Sequence, residues 1–269
     1  HFHIEPIEEY DGTAAQKIIS DNHLELTGGL KSGSVLISKG EIFLTGDIEA
    51  DTEISAGGNL TIEGSIQKCT LSAEKDIDIL GDVENATING NGLISIRGKS
   101  RSSRIYSRKI ILDNFEGNEI VAGSTIELGH VAADETGNPG IIKAGKSIHL
   151  SELIKINQNF LRSAKVNLER YRDLLGADVV EAADIDNSTQ LLAMLNRKKA
   201  EKKMNKDEME AVKMILKTIG PLKKIIEEKS DANLKYRNQM LQETDEETCI
   251  TIKNAVEAEI PLEVEGIRG

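Results

Sequence analysis

The chain has no tryptophan, four phenylalanines and four tyrosines, so aromatic residues make up only 3% of it. A platform for stacking bases or a sugar-binding aromatic groove needs more rings than that, and neither is expected. The two cysteines, Cys69 and Cys249, have no ligand spacing. A disulfide framework is therefore not expected, and a reducing compartment is. No apolar run approaches the length of a membrane span and no signal peptide is visible, so neither an integral membrane segment nor export is expected. Positive charge is short as well. With 33 basic against 45 acidic side chains the formal charge is −12, which argues against nucleic acid as a main partner. The sequence starts His1-Phe2-His3-Ile4 without a methionine, which predicts a fragment lacking an upstream domain.

What the chain does have is a short phrase written three times between Ile54 and Gly98. It reads Ile54-Ser-Ala-Gly-Gly-Asn-Leu60-Thr-Ile62-Glu-Gly64-Ser-Ile66, then Leu71-Ser-Ala-Glu-Lys-Asp-Ile77-Asp-Ile79-Leu-Gly81-Asp-Val83. The third copy is Ile88-Asn-Gly-Asn-Gly-Leu-Ile94-Ser-Ile96-Arg-Gly98. In each copy an apolar residue is followed six and eight positions on by two more, and the copies start 17 residues apart. Upstream, Leu36, Ile42, Leu44, Gly46 and Ile48 make another copy, and Leu24, Leu26, Gly28 and Leu30 half of one. Downstream, Ile105 with Ile110 and Leu112 fits after loss of one turn residue. Ile120 with Ile126 and Leu128 follows, then Ile142 with Ile148 and Leu150 after a longer loop.

Alternation of the I-x-I kind turns apolar side chains to one face of a strand, and glycine or Asn-Gly supplies the turns. A unit of two short strands cannot bury its apolar face alone, so successive units must stack into a coil. The expected fold is a right-handed parallel β-helix, or β-solenoid, whose eight coils would make a rod of roughly 38 Å. An antiparallel sandwich with evenly spaced strands would not repeat a phrase in register. Residues 1–22 are expected to cap the open end, and the rungs to occupy 23–150.

At Ser151 the period changes from 2 to 3.5. Ile154, Leu161, Leu168 and Leu175 recur every seven residues, with Ala164 and Tyr171 three positions after Leu161 and Leu168. Ser151 is the expected N-cap, Gly176 the expected end, and Ala177 to Asn187 an acidic loop. Further helices are expected over Ser188–Met204, Lys206–Ile219 and Pro221 to about Glu243, with Gly220-Pro221 as a boundary. Pairing the first and last gives an antiparallel coiled-coil hairpin over 151–243, with a helical tip at 177–219. Ile250, Ile252, Val256, Ile260, Leu262 and Val264 should then return to the solenoid over 244–269. Residues 151–243 hold 18 basic and 15 acidic side chains, which leaves 15 basic and 30 acidic elsewhere. The solenoid is thus acidic and its insert slightly basic.

The layout resembles the bacterial flagellar assembly protein A family, in which a solenoid of G-[DN]-I and A-G-[DN]-I phrases carries a long helical insert near its C-terminal end. The matching residues are Gly46-Asp47-Ile48, Ala56-Gly57-Gly58-Asn59-Leu60, Gly81-Asp82-Val83 and Ala144-Gly145-Lys146-Ser147-Ile148. The heptad run from Ile154 and the return strand from Ile250 match in layout, so the resemblance covers roughly residues 20–269. It implies a cytoplasmic, non-catalytic protein that helps place or assemble flagella. It also implies an additional N-terminal domain in many members, in keeping with the start at His1.

Two basic stretches are candidate partner surfaces. Arg97, Lys99, Arg101, Arg104, Arg108 and Lys109 form a local ridge on an acidic rod, suited to an acidic partner or a phosphate-bearing ligand. Arg197, Lys198, Lys199, Lys202 and Lys203 lie at the hairpin tip. For both, a solvated surface that balances acidic neighbours is the competing reading. Asp76, Asp78 and Asp82 with Asp47 and Glu63 resemble the stacked carboxylates of β-helix lyases. The outward column Thr61, Asp78, Ser95 forms no acidic ladder, however, and outward acids serve solubility. The five histidines lack close ligand spacing, and His130 with His149 on neighbouring coils would be too few ligands for a metal. No phosphate loop, dinucleotide phrase or nucleophile elbow is present. The expected function is therefore a scaffold that recruits protein partners of flagellar assembly or polar regulation, without cofactor or catalysis. The alternatives are a self-polymerising element like the bactofilins and, below it, a polysaccharide-active β-helix enzyme.

Overall fold

A computed structural model describes residues 15, 17–183, 206–242, 248–254 and 256–264; the side chains of 206–213 and of Gln242 fall outside that description. The chain forms two compact units, His1–Ser151 with Glu243–Gly269, and Glu152–Gln242.

The first unit is the parallel β-solenoid that the repeated phrase predicts. Its coils have three faces, where the alternation alone shows two. On the first face β1 (Lys17–Ser20), β3 (Val35–Ser38), β5 (Glu53–Ala56), β8 (Thr70–Ala73) and β11 (Thr87–Gly90) stack in parallel. On the second, β2 (Leu24–Thr27), β4 (Ile42–Thr45), β6 (Leu60–Glu63), β9 (Ile77–Ile79) and the start of β12 (Leu93–Arg101) do the same. The third face is narrow, with β7 (Ile66–Gln67) and β10 (Val83–Glu84). β13 (Arg104–Glu116) and β14 (Glu119–Ala132) run through all three faces as long bent strands.

Register makes the core a set of ladders. Leu36, Ile54, Leu71, Ile88, Ile105, Ile120 and Ile142 stack on the first face. Leu24, Ile42, Leu60, Ile77, Ile94, Ile110, Ile126 and Ile250 stack on the second, which makes about seven turns. The third face supplies one inward residue per coil: Leu30, Ile48, Ile66, Val83, Ser100, Phe115 and Val131, with Val256 bridged to Val131 at the exposed end. That single residue is too short a signal to read as a strand from sequence. Nearly all these side chains are fully buried, and each large aliphatic contributes about 1.5–3 kcal/mol of burial.

The repeated glycine has a steric cause. A Cβ on Gly64, Gly81 or Gly98 would sit 2.1–2.3 Å from the carbonyl oxygen of the glycine one coil below. The coils approach there more closely than a side chain allows, so these three positions require glycine.

The solenoid opens after β15 (Ile141–Ala144), which pairs with β14. Ile148 and Leu150, expected in a rung, instead lie in the first turn of α1 (Ile148–Leu175). The place opposite Ile126 and Leu128 is taken by Ile250 and Ile252 of β16 (Cys249–Ile252), and β17 (Leu262–Val264) covers β15. The helix thus starts one turn before Ser151, which sits inside it. Alternating Ile148 and Leu150 fit a strand phrase and a buried helix start equally well, and periodicity cannot separate them over so short a run.

In the second unit α1 ends at Gly176, whose φ of 95° suits a residue without a Cβ. α2 (Ala177–Ala182) replaces the expected acidic loop because Val179 and Val180 are buried beside Leu175. α3 (Lys206–Gln242) runs without a break through Pro221, where the sequence pointed to a boundary. Gly220 removes the Cβ whose clash with a following proline normally disfavours helix. Fully buried Ile219, packed with Leu175, Val179, Val180 and Ala183, offsets the missing hydrogen bond.

Candidate functional site

The six residues of the expected basic ridge do not share a face. Twelve residues of solenoid travel most of the way round a coil. Arg97 and Lys99 therefore lie between the second and third faces, Arg101 and Arg104 between the third and first, and Arg108 and Lys109 between the first and second. Acidic neighbours engage three of them. Arg97 Nη2 is 3.4 Å from Asp78 Oδ2, and Arg104 Nε is 3.5 Å from Glu119 Oε2. Arg101 bridges Glu116 at 3.0 Å and Glu135 at 2.8 Å. Half of the six are thus in charge-compensating pairs. Arg197, Lys198, Lys199, Lys202 and Lys203 lie outside the described residues.

Three of the carboxylates that resembled a lyase ladder accept from the backbone of the next coil, and Asp78 pairs with Arg97. Asp47 Oδ1 accepts from the Ser65 N–H at 2.8 Å, Asp76 Oδ1 from the Leu93 N–H at 2.8 Å and Asp82 Oδ1 from the Lys99 N–H at 2.8 Å. Asn59 Oδ1 plays the same part for the Asp76 N–H at 3.2 Å. After Gly46, Gly58 and Gly81 the next residue is the Asp or Asn that closes the corner, and after Gly64 the Ser65 hydroxyl does so, accepting from the Asp82 N–H at 3.2 Å. These groups hold turns together.

His130 and His149 do not stack. His130 lies opposite Asn114 in β14, with Nε2 3.6 Å from Glu257. His149 is in the first turn of α1, its ring packed so tightly on Gly123 that a Cβ there would be 2.6 Å from Nδ1. Burial, then the nearby Arg108 charge, pushes its pKa down to about 4. Among the described residues no group of three or more His, Cys, Asp or Glu could hold a metal ion, and no helix is long and apolar enough to cross a membrane.

The helical unit carries features that the sequence reading passed over. Asn157, three positions after Ile154, completes the 3–4 spacing of the α1 seam. It is 6% exposed and donates through Nδ2 to Oδ1 of Asn233, equally buried on α3, at 3.1 Å. Leu175, at the other end of α1, clusters with Ile219 near the middle of α3, so the contacts run in opposite sequence order along the two helices. Large apolar side chains also stand in solvent on this unit: Ile156, Phe160, Val166 and Leu174 on α1, and Met214, Ile225, Leu234 and Leu241 on α3.

A stacked solenoid that opens for a helical insert and closes behind it is the layout on which the resemblance rested. The profile of the Flagellar Assembly Protein A beta solenoid domain matches residues 23–268, nearly the whole chain. The chain belongs to the flagellar assembly protein A family. The matched span reaches from the first rungs to the strands that follow the insert. Among curated proteins and among solved structures nothing matches the chain. Membership in the flagellar assembly protein A family ties the chain to flagellar assembly, a family of assembly proteins and not a known enzyme family.

Proposed function

We propose that this chain is a non-catalytic cytoplasmic scaffold in flagellar assembly. In this reading the acidic solenoid is a rigid base and the helical insert an antiparallel coiled-coil arm that recruits protein partners. One observation carries the reading. β14 and β16 pair in the register of every other coil, Ile126 on Ile250 and Leu128 on Ile252. The insert therefore adds nothing to that ladder, which supports a role of its own. The arm also exposes several large apolar residues, a surface of the kind that marks protein contacts. Basic residues Arg197, Lys198, Lys199, Lys202 and Lys203 are assigned to the same role, as a contact for an acidic partner.

The test is a chromosomal replacement of residues 152–242 by a short flexible linker, with protein level, flagellar number and motility measured. Loss of flagella at an unchanged protein level is expected, with a milder defect when the five tip charges are reversed. Normal flagellation without the insert would sink the proposal. Filaments growing from purified wild-type chain would instead favour the polymer reading.

A further inference from the structure

The two helices of the arm have unlike flanks. On α1 the positions immediately before the seam residues Ile154, Leu161, Leu168 and Leu175 are Leu153, Phe160, Asn167 and Leu174. On α3 those before Ile219, Ile226, Asn233 and Met240 are Thr218, Ile225, Ala232 and Gln239. In an antiparallel pair these two rows fall on the same side. Such flanking rows are ordinarily charged, because they border water. Here none of the eight residues carries a charge. Phe160 is 38%, Leu174 53% and Ile225 38% exposed. The opposite flank, Gln158, Lys165 and Arg172 with Lys223, Ser230 and Arg237, is polar and basic.

We propose that the uncharged flank is a self-association surface, on which the arms of two copies pack side by side into a four-helix bundle. This rests on the coiled-coil arm reading above. An uncharged row on both helices is the pattern of positions that become core when further helices are added. A second copy fits better than a foreign helix, because the row offers no charge to select the charged rim of another protein. A two-fold axis near Asn167, midway between Phe160 and Leu174, would lay Phe160 of one copy against Leu174 of the other and satisfy both. Leu153 is buried, so the free strip runs from Phe160 to Leu174 and is ~21 Å long. At a helix width of ~12 Å it covers about 250 Å² per copy, well below the ~800 Å² per partner of a stable complex. The association should therefore be weak and strongly concentration-dependent.

Sedimentation of the full chain over a wide concentration range should show mass rising toward, and not beyond, twice the monomer. Phe160→Glu with Leu174→Glu should weaken it at least about tenfold, since each carboxylate would be buried without a partner. Lys165→Glu with Arg172→Glu, on the opposite flank, should leave it unchanged. Because the glutamates could loosen the arm itself, Asn167→Cys in a Cys249→Ser background supplies a second reading: oxidation should yield a covalent dimer with wild-type helix content. A wild-type chain that stays monomeric, a dimer indifferent to the glutamates, or no cross-link at Asn167 would each overturn the inference. The cell experiment with the arm removed is independent of all three. Loss of flagella there beside a strictly monomeric protein would leave the arm reading standing and this one refuted.

Discussion

At the scale of single residues the solenoid turns on contacts too close for a side chain and on one buried imidazole. Gly81→Ala puts a methyl group 2.3 Å from the Gly64 carbonyl oxygen, so the coils must part. A loss of roughly 1–3 kcal/mol is expected, read as a lower urea midpoint at unchanged slope. His149 makes the fold sensitive to acid. Its ordinary pKa is 6.5 and burial lowers it to about 4 in the folded chain. Below about pH 6.5 the unfolded chain takes up a proton that the folded chain refuses. Stability should therefore be full above pH 6.5 and fall as the pH drops toward 4, by roughly 3 kcal/mol in all. His149→Gln should flatten that fall in urea titrations at a series of pH values. An equally steep fall in the variant would show that other groups cause it.

At the scale of elements, what was legible in the sequence followed from how many residues carried each signal. The first and second faces offered two inward residues per coil on a fixed period, and both are where the phrase put them. The third face offers one per coil and was folded into the turns. The seam of α1 was legible where it was apolar; Asn157 was missed because a polar residue at a heptad position reads as a gap. Pro221 misled in the opposite direction, since the burial of Ile219 outweighs a local helix breaker. The spread of the six basic residues over the coil was hidden for a geometric reason: neighbours in sequence are not neighbours on a face when the chain circles an axis. The Asn157–Asn233 pair has a measurable consequence. Asn157→Ala leaves Asn233 buried without its donor and should cost about 1–3 kcal/mol in the thermal melt of the helical signal. Replacing both by leucine should recover or exceed wild-type stability while loosening the choice of helix register. A single variant as stable as wild type would remove the pair from any structural role.

At the scale of the whole molecule the C-terminal return closes the solenoid. β16 and β17 cover the edges of β14 and β15, and an uncovered parallel edge is a template for pairing between chains. A chain ending at residue 247 should lose solubility and appear in the pelleted fraction, with the β-type circular dichroism retained. A soluble monomer of that length would mean the edge is protected in another way.

The same arrangement sets a clock on synthesis. Thr125 of β14 pairs with Cys249 of β16, so the ribosome must add 124 residues before the strand meets its neighbour. At ~5–20 residues per second the nascent solenoid waits about 6–25 s with that rim bare. Helices form far faster than this, so the insert has time to fold while the rim is still waiting. Rare codons within it would lengthen the exposure, whereas the same codons earlier in the gene would not.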